Sequence, residues 1–416
     1  MWPRRCNTGA DWPLKQNSRM TRAASTHDPK LVGWLSLAQL ISWGSVFYTF
    51  SLLMEPVERE LGLTRAQSSL AFSLASLAEG MLAYPVGRWI DRGHERIIMT
   101  GGSLLVAALL VLHSIVHSAW AFYAVWVGLG AALSGTLYTP VFAVVTRRFP
   151  DDFRRAIITL TFLGGLASTV FIPVSAGLIH SLGWRHALWV LAALHLLVCA
   201  PIHALQLRDA PRGATRSTGA ASASPAALVR SAPFLLIAVF SVGMMGVTAA
   251  LPPHMISLLR GNGLDERWVI AIPAGIGLFQ VVGRVLLYFF EHHFDLHLAN
   301  RLIPLLIPIG IATLLFGAGH PWAAVLFVLL YGMGNGMLTI VKGTAIAQYV
   351  NREHVASLNG ALGLPTAIAR ASTPLVLGLL WSPTAGYAWG LALLLAMSAV
   401  SVFALLLAQR RALAPR

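Results

Sequence analysis

From Leu31 almost to the C terminus, apolar runs of near bilayer-spanning length alternate with short polar punctuation. A helix needs about 20 apolar residues to cross a bilayer. The runs predict twelve helices, at 31–54, 66–90, 96–116, 119–147, 154–180, 183–206, 231–256, 265–290, 297–318, 321–349, 355–381 and 384–408. The pattern is that of an all-α integral membrane protein. Its longest internal polar stretch, QLRDAPRGATRSTGAASASPAALVRSAP (Gln206–Pro233), reads as a flexible linker. It divides the helices six and six, giving a tail at 1–30, a bundle at 31–206, a linker at 207–230, a bundle at 231–408 and a tail at 409–416.

Composition strengthens this reading. Hydrophobic residues make up 56% of the 416 and charged residues only 11%, with mean hydropathy +0.69, against about a quarter charged in soluble chains. The net charge of +14 would suit a nucleic-acid partner, but its distribution argues against one. With the N terminus placed inside, twenty-two Lys and Arg fall in inner segments. Only Arg59, Arg65, Arg185, Arg260 and Arg267 fall in outer loops. This asymmetry predicts cytoplasmic N and C termini in a multi-pass protein of the cell's inner (plasma) membrane. Cys6 and Cys199 give neither a disulfide framework nor metal spacing. Residues 1–30 lack an apolar h-region, so no cleavable signal peptide is expected, and Met20 is a second candidate start.

The two halves echo each other. LGGLASTVFIPVSAGL (Leu163–Leu178) answers LGLPTAIARASTPLVLGL (Leu362–Leu379), with Pro173 matching Pro374 and Gly177 matching Gly378. GLGAALSGTLYTP (Gly128–Pro140) answers GMGNGMLTIVKGT (Gly332–Thr344). Small residues let membrane helices approach closely. Such repeats are expected in transporters whose substrate site lies between halves near the midplane.

After the second helix comes GRWIDRGHER (Gly87–Arg96). It resembles the loop-2/3 signature of the major facilitator superfamily through Gly87, Asp91, Arg92 and Arg96, while His94 and Glu95 depart from it. Gly87 would let helix 2 press on a neighbour. Asp91 would sit at the positive N-terminus of helix 11 near Val355–Asn359, with Arg92 and Arg96 tying the loop. The second copy, YFFEHHF (Tyr288–Phe294), is degenerate. A narrower resemblance, carried by Ser42–Ala75, Thr136–Pro150, LGWRHAL (Leu182–Leu188) and Gly283–Arg284, is to bacterial relatives of the monocarboxylate and oxalate–formate porters. The resemblance implies two six-helix bundles related by pseudo-twofold symmetry. Animal monocarboxylate porters carry an acid–x3–Arg pair on helix 8; here Arg284 matches and the acidic position is Gln280.

Ionisable groups at depth are few: Glu79, Arg284, Lys342 and Arg370, with a formal sum of +2. A charge at a helix centre costs about 2.5–3.5 kcal/mol on insertion scales, so each calls for a cavity or a partner. Arg284 and Lys342 lie at similar depth and are candidates for one cavity, with snorkelling to the headgroups as the alternative. Trp43, Tyr48, Tyr138, Asn335 and Gln280 are candidates to line it, and Arg370 to add a third cation. Glu79 and Arg370 fall about halfway along helices 2 and 11, which face each other in this superfamily, so Glu79 is the candidate proton carrier. Met244, Met245, His195 and His203 read as core or structural residues. His292, His293 and His297 lack partners at metal spacing.

No Walker sequence, nucleophile elbow or HExxH occurs, so no enzyme, cofactor or metal is expected. The expectation is a monomeric secondary active transporter of a small organic anion, a monocarboxylate, coupled to protons and working by alternating access. Efflux of a hydrophobic drug or metabolite is the alternative within transport. A membrane ligand sensor is the alternative outside it.

Overall fold

The computed structural model describes residues 28–149, 153–208, 228–290, 296–351 and 355–413. The expected linker therefore lies mostly outside the described residues, as do the N-terminal tail, His292, His293 and the side chain of Asp91. The described chain is helical throughout, apart from one isolated bridge between Ser382 and Gly386.

The membrane-crossing helices are α1 (Pro29–Leu61), α2 (Arg65–Asp91), α3 (Glu95–Ser114), α4 (Ala119–Arg148), α5 (153–182), α6 (184–206), α7 (Ala232–Gly261), α8 (Glu266–Phe290), α9 (296–316), α10 (Pro321–Tyr349), α11 (Val355–Leu379) and α12 (Ala388–Leu413). Their starts are written locally. Asp28 accepts from the amides of Lys30 and Leu31 ahead of Pro29, and Thr64 and Gln67 form a reciprocal capping box. Several boundaries move outward from the sequence reading. Helix α1 continues to Leu61, α7 to Gly261 and α12 to Leu413.

Helices α5 and α6 follow one another without an intervening loop across the 51 residues Ala156–Gln206. At 1.5 Å per residue that is about 77 Å, far more than one ~30 Å crossing. Gly183, at φ 77° and ψ 158°, turns the chain back, a conformation costly for any side-chain-bearing residue. Contacts on either side establish the reversal. Trp184 and Arg185 reach Glu60 at the end of α1, at 3.0 and 2.5 Å. Twenty residues on, His203 bonds Ser103 and Ala204 accepts from Arg96 at the start of α3. The eleven long apolar stretches thus give twelve crossings among the described residues.

Buried apolar residues form one cluster largely within α7–α12 and two within α1–α6. At the end of the bundle where the described chain begins, hereafter the near end, each half is tied by polar groups. In the first half Glu95 is fully buried and takes Arg148 at 2.6 Å and Arg147 at 3.6 Å. Arg148 also donates to the Arg208 carbonyl at 3.0 Å. In the second half buried Asn300 donates to Gln348 at 2.6 Å and to the Tyr349 hydroxyl at 2.9 Å, while Arg301 donates to Gln409 at 2.7 Å. Glu95, which departs from the loop signature, is thus the centre of the first tie.

The halves meet at the far end. Arg65 of α2 bonds Ser257 of α7, pairs with Glu58 at 3.3 Å and lies 5.4 Å over the Trp381 ring. Glu55 of α1 pairs with Arg260 of α7. Ser69 touches buried His254 at 3.3 Å, and His254 is itself held by the Pro374 carbonyl and Tyr387. Toward the near end, by contrast, α2 and α11 line a cavity of about 500 Å3, bridged by the Glu79–Arg370 pair. Among the described residues a Cβ at Gly87 would meet nothing within 4 Å, so the close packing expected of Gly87 is not made among them, and the halves are joined at the far end with a cavity at the near end.

Candidate substrate site

Local breaks in three helices position the site. Residues Trp43–Tyr48 of α1 form a π-helical turn, stitched by Thr49, whose hydroxyl donates to the Gly44 carbonyl at 2.9 Å and meets Ser175 at 2.7 Å. Such turns insert an extra residue and re-aim side chains. Helix α4 breaks between Leu133 and Tyr138, and the Thr136 carbonyl left within the break accepts from buried Gln39 at 2.5 Å. Helix α5 breaks at Leu166, between Gly165 and Ala167. Together these set Trp43, Tyr48 and Tyr138 toward the seam between the halves. The Trp43 and Tyr138 rings are 5.1 Å apart.

Near the centre, a cavity of about 30 Å3 is lined by Tyr48, Gln280, Tyr331 and Asn335 among apolar neighbours from α5, α7 and α8. Arg284 lies one turn from Gln280 toward the near end. Its Nη1 donates to the Thr161 carbonyl of α5 at 2.5 Å, and its Nε donates to the Gly336 carbonyl of α10 at 3.2 Å. The approach needs glycine at both ends. A Cβ on Gly165 would lie 3.2 Å from Nη1, and one on Gly336 would strike the Gln280 backbone. Tyr138 rests its hydroxyl on the adjacent Gly164. Among the described residues no carboxylate pairs with Arg284.

Lys342 lies seven residues beyond Asn335, two turns along the same stripe of α10. It makes no ion pair or hydrogen bond among the described residues. Arg370 is placed differently. It pairs with Glu79 across the halves at 3.0 Å, with a second contact at 3.2 Å, and both line the near-end cavity with Thr139, Met245 and Thr366. The sequence candidates thus divide into two groups. Arg284, Gln280, Tyr48, Tyr138, Trp43 and Asn335 gather around the centre, while Glu79 and Arg370 close an ion pair on the cavity wall. Met244 is buried core, but Met245 faces the cavity, unlike its expected placement. His195 and His203 are buried against Ser45 and Ser103, as structural residues would be. His297 contacts Tyr349 at 3.3 Å.

Sequence reasoning missed the far-end charges. Glu55, Glu58, Arg65 and Arg260 read as loop charges, and His254 attracted no notice. The acid–x2–acid spacing of Glu55 and Glu58, one helical turn facing Arg65 across a short loop, was the available signal.

The defining sequence pattern of the Major Facilitator Superfamily matches residues 35–304. The chain belongs to that superfamily. Its curated relatives include monocarboxylate transporter 13 of Bos taurus, 27% identical over 302 residues and covering 68% of each chain. The same-named protein of Rattus norvegicus is 26% identical over 313 residues, covering 73% of this chain and 69% of its own. Among solved structures, a bacterial homolog of the human lysosomal transporter Spinster, inward-facing and unoccupied, aligns with a TM-score of 0.70 at 18% identity, covering 93% of this chain and 98% of that one. The nucleoside transporter NupG aligns at 0.69 and 16% identity, covering 91% and 98%. At such identities these structures attest the fold alone. Membership in the superfamily makes the chain a multi-pass transporter of a small molecule rather than an enzyme.

Proposed function

We propose that this superfamily member is a secondary active carrier of a small organic anion, a monocarboxylate, with Arg284 as its principal anion-binding group. One observation carries the reading. Among the described residues, this guanidinium inside the membrane touches two backbone carbonyls and no carboxylate, and a substrate carboxylate would supply the countercharge. Arg284 keeps further donors free for a bidentate contact. Tyr48, Gln280 and Asn335 offer hydrogen bonds for the rest of a small ligand, and Lys342 adds a second uncompensated positive charge. The curated relatives are named as monocarboxylate transporters, which supports the same substrate class.

Coupling is assigned to Glu79. Its ion pair with Arg370 spans the two halves, so one conformation holds the carboxylate paired and another holds it apart. Rocking of the halves would alternate those surroundings and so bind and release a proton, replacing the acid absent at Gln280. The near end is taken as cytoplasmic from the distribution of basic residues, in an inner (plasma) membrane protein working as a monomer. The test is uptake by proteoliposomes of radiolabelled carboxylates, with and without a pH gradient. Stimulated uptake that disappears in Arg284→Ala supports the reading, and uptake retained in that variant overturns it.

A further inference from the structure

A second cavity, of about 470 Å3, opens at the far end between α1, α5 and the α7–α8 corner. Its lining includes Arg59, Gly177, His180, Arg260 and Glu266. Arg260 holds two carboxylates there. Glu55, from the other half, is the enclosed one, its side chain 15% exposed. Glu266 is the loose one, 58% exposed, yet it takes both arms of the guanidinium, with Nη2 donating at 2.6 Å and Nε at 3.1 Å. Arg59, 78% exposed, makes one long ion pair, to Glu55 at 3.8 Å. The cleft therefore presents two arginines and a histidine, with Glu266 as its exposed acid and Glu55 enclosed behind Arg260.

A bidentate seat on a guanidinium is selective for planar carboxylates. An incoming carboxylate that displaced Glu266 would accept the same two N–H groups and leave the Glu55–Arg260 contact in place. We propose that this cleft is a receiving seat for the carboxylate of the transported anion at the far end, and that Glu266 is a resident stand-in which the ligand displaces. The seat rests on the organic-anion reading above. It adds a second, peripheral position, reached while the central site is still closed to the far side. The same chemistry would accept a lipid headgroup phosphate, so the test separates the two sources.

A Cβ at Gly177 meets nothing within 4 Å, and Cys199 is buried, so Gly177→Cys on a Cys6→Ser background reports from the cleft wall. The full chain in nanodiscs of zwitterionic lipid is labelled with anionic sulfonatoethyl and cationic trimethylammonioethyl methanethiosulfonate, and the rate ratio is compared with that of free cysteine. The seat predicts a ratio favouring the anion, raised several-fold further by Glu266→Gln and lowered by Arg59→Gln with His180→Gln. Acetate should slow the anionic reagent. A ratio at or below that of free cysteine, or one unmoved by Glu266→Gln, overturns the seat. A preference that vanishes when phosphatidylglycerol is added assigns the cleft to lipid and overturns the substrate role. If carboxylate uptake persists while the labelling preference fails, the seat alone falls. If the preference holds but no carboxylate is carried, the transport reading falls, and the substrate role of the seat with it.

Discussion

Replacing Arg284 by glutamine distinguishes a binding group from a structural pin between the halves. In the empty protein the guanidinium has two carbonyl acceptors, Thr161 at 2.5 Å and Gly336 at 3.2 Å, and no carboxylate among the described residues. A charge at a helix centre costs about 2.5–3.5 kcal/mol, while hydrogen bonds from a charged donor contribute about 1.5–3 kcal/mol each. The two terms nearly cancel. Glutamine removes the charge and keeps a neutral donor, so stability without substrate should change by no more than about 1–2 kcal/mol. The loaded site behaves differently. An anion bound there would lose its countercharge, a loss of about 3–5 kcal/mol for a broken buried pair, or roughly a 10²–10⁴-fold loss in affinity. Arg284→Lys keeps the charge but loses the fork and one carbonyl contact, which places it roughly ten- to a hundred-fold below the parent. Thermal unfolding in detergent measures the first effect, and carboxylate counterflow in proteoliposomes the second. A glutamine variant that unfolds far earlier without substrate, or that carries carboxylates within tenfold of the parent, would refute the reasoning.

Four further outcomes are expected. Glu79→Gln should lose accumulation driven by a pH gradient and retain substrate exchange; continued accumulation would place the proton elsewhere. Arg65→Ala removes the cation over Trp381 and the bond to Ser257, together worth about 2–4 kcal/mol, and should expose an Asn335→Cys reporter to impermeant reagent from the far side. Unchanged labelling would exclude Arg65 from the closure. Glu95→Gln takes from Arg147 and Arg148 their shared carboxylate and should lower thermal stability by about 1–3 kcal/mol, checked by unfolding and membrane abundance. Asp91→Asn should slow transport at normal abundance by weakening the near-end closed state; parental rates would leave the loop with only a topological part.

The helices and the central cation were legible in the sequence because both depend on local contrast. Apolar runs of crossing length announce themselves, and Arg284 stands out within GIGLFQVVGRVLLYFFE. Gln280 follows from its four-residue offset. The break in α4 that aims Tyr138 lies in a visibly small and polar segment, Ser134–Thr136, but the π-helical turn behind Trp43 and Tyr48 leaves no comparable mark. The Glu79–Arg370 pair was accessible only because both fall at mid-helix in elements expected to face each other. The far-end closure was hidden for a physical reason. Arg65 and Ser257 are 192 positions apart, and Glu55 and Arg260 are 205 apart, so no periodicity links them, and charges at helix ends look alike whether they face water or a partner. Glu95 was obscured in the same way, since Arg147 and Arg148 serve the topology bias equally well wherever their side chains go.

The near-end ties have a consequence for how this protein can change over generations. Asn300 and Arg301 stand 205 positions after Glu95 and Arg96, so both halves are fastened at matching posts, one around a buried carboxylate and the other around amides, a phenol and a single guanidinium. Losing one neutral bond leaves a single unfilled partner, at about 1–3 kcal/mol. Losing Glu95 removes the one buried carboxylate that two guanidiniums share. The first half is thus the brittle copy and the second the permissive one, and variation surviving a screen for membrane abundance should gather around Asn300 and Gln348 rather than Glu95. Arg284, Lys342 and Arg370 all belong to the permissive copy. A lineage of such carriers could therefore explore new substrates with one half of its architecture while the other holds the fold.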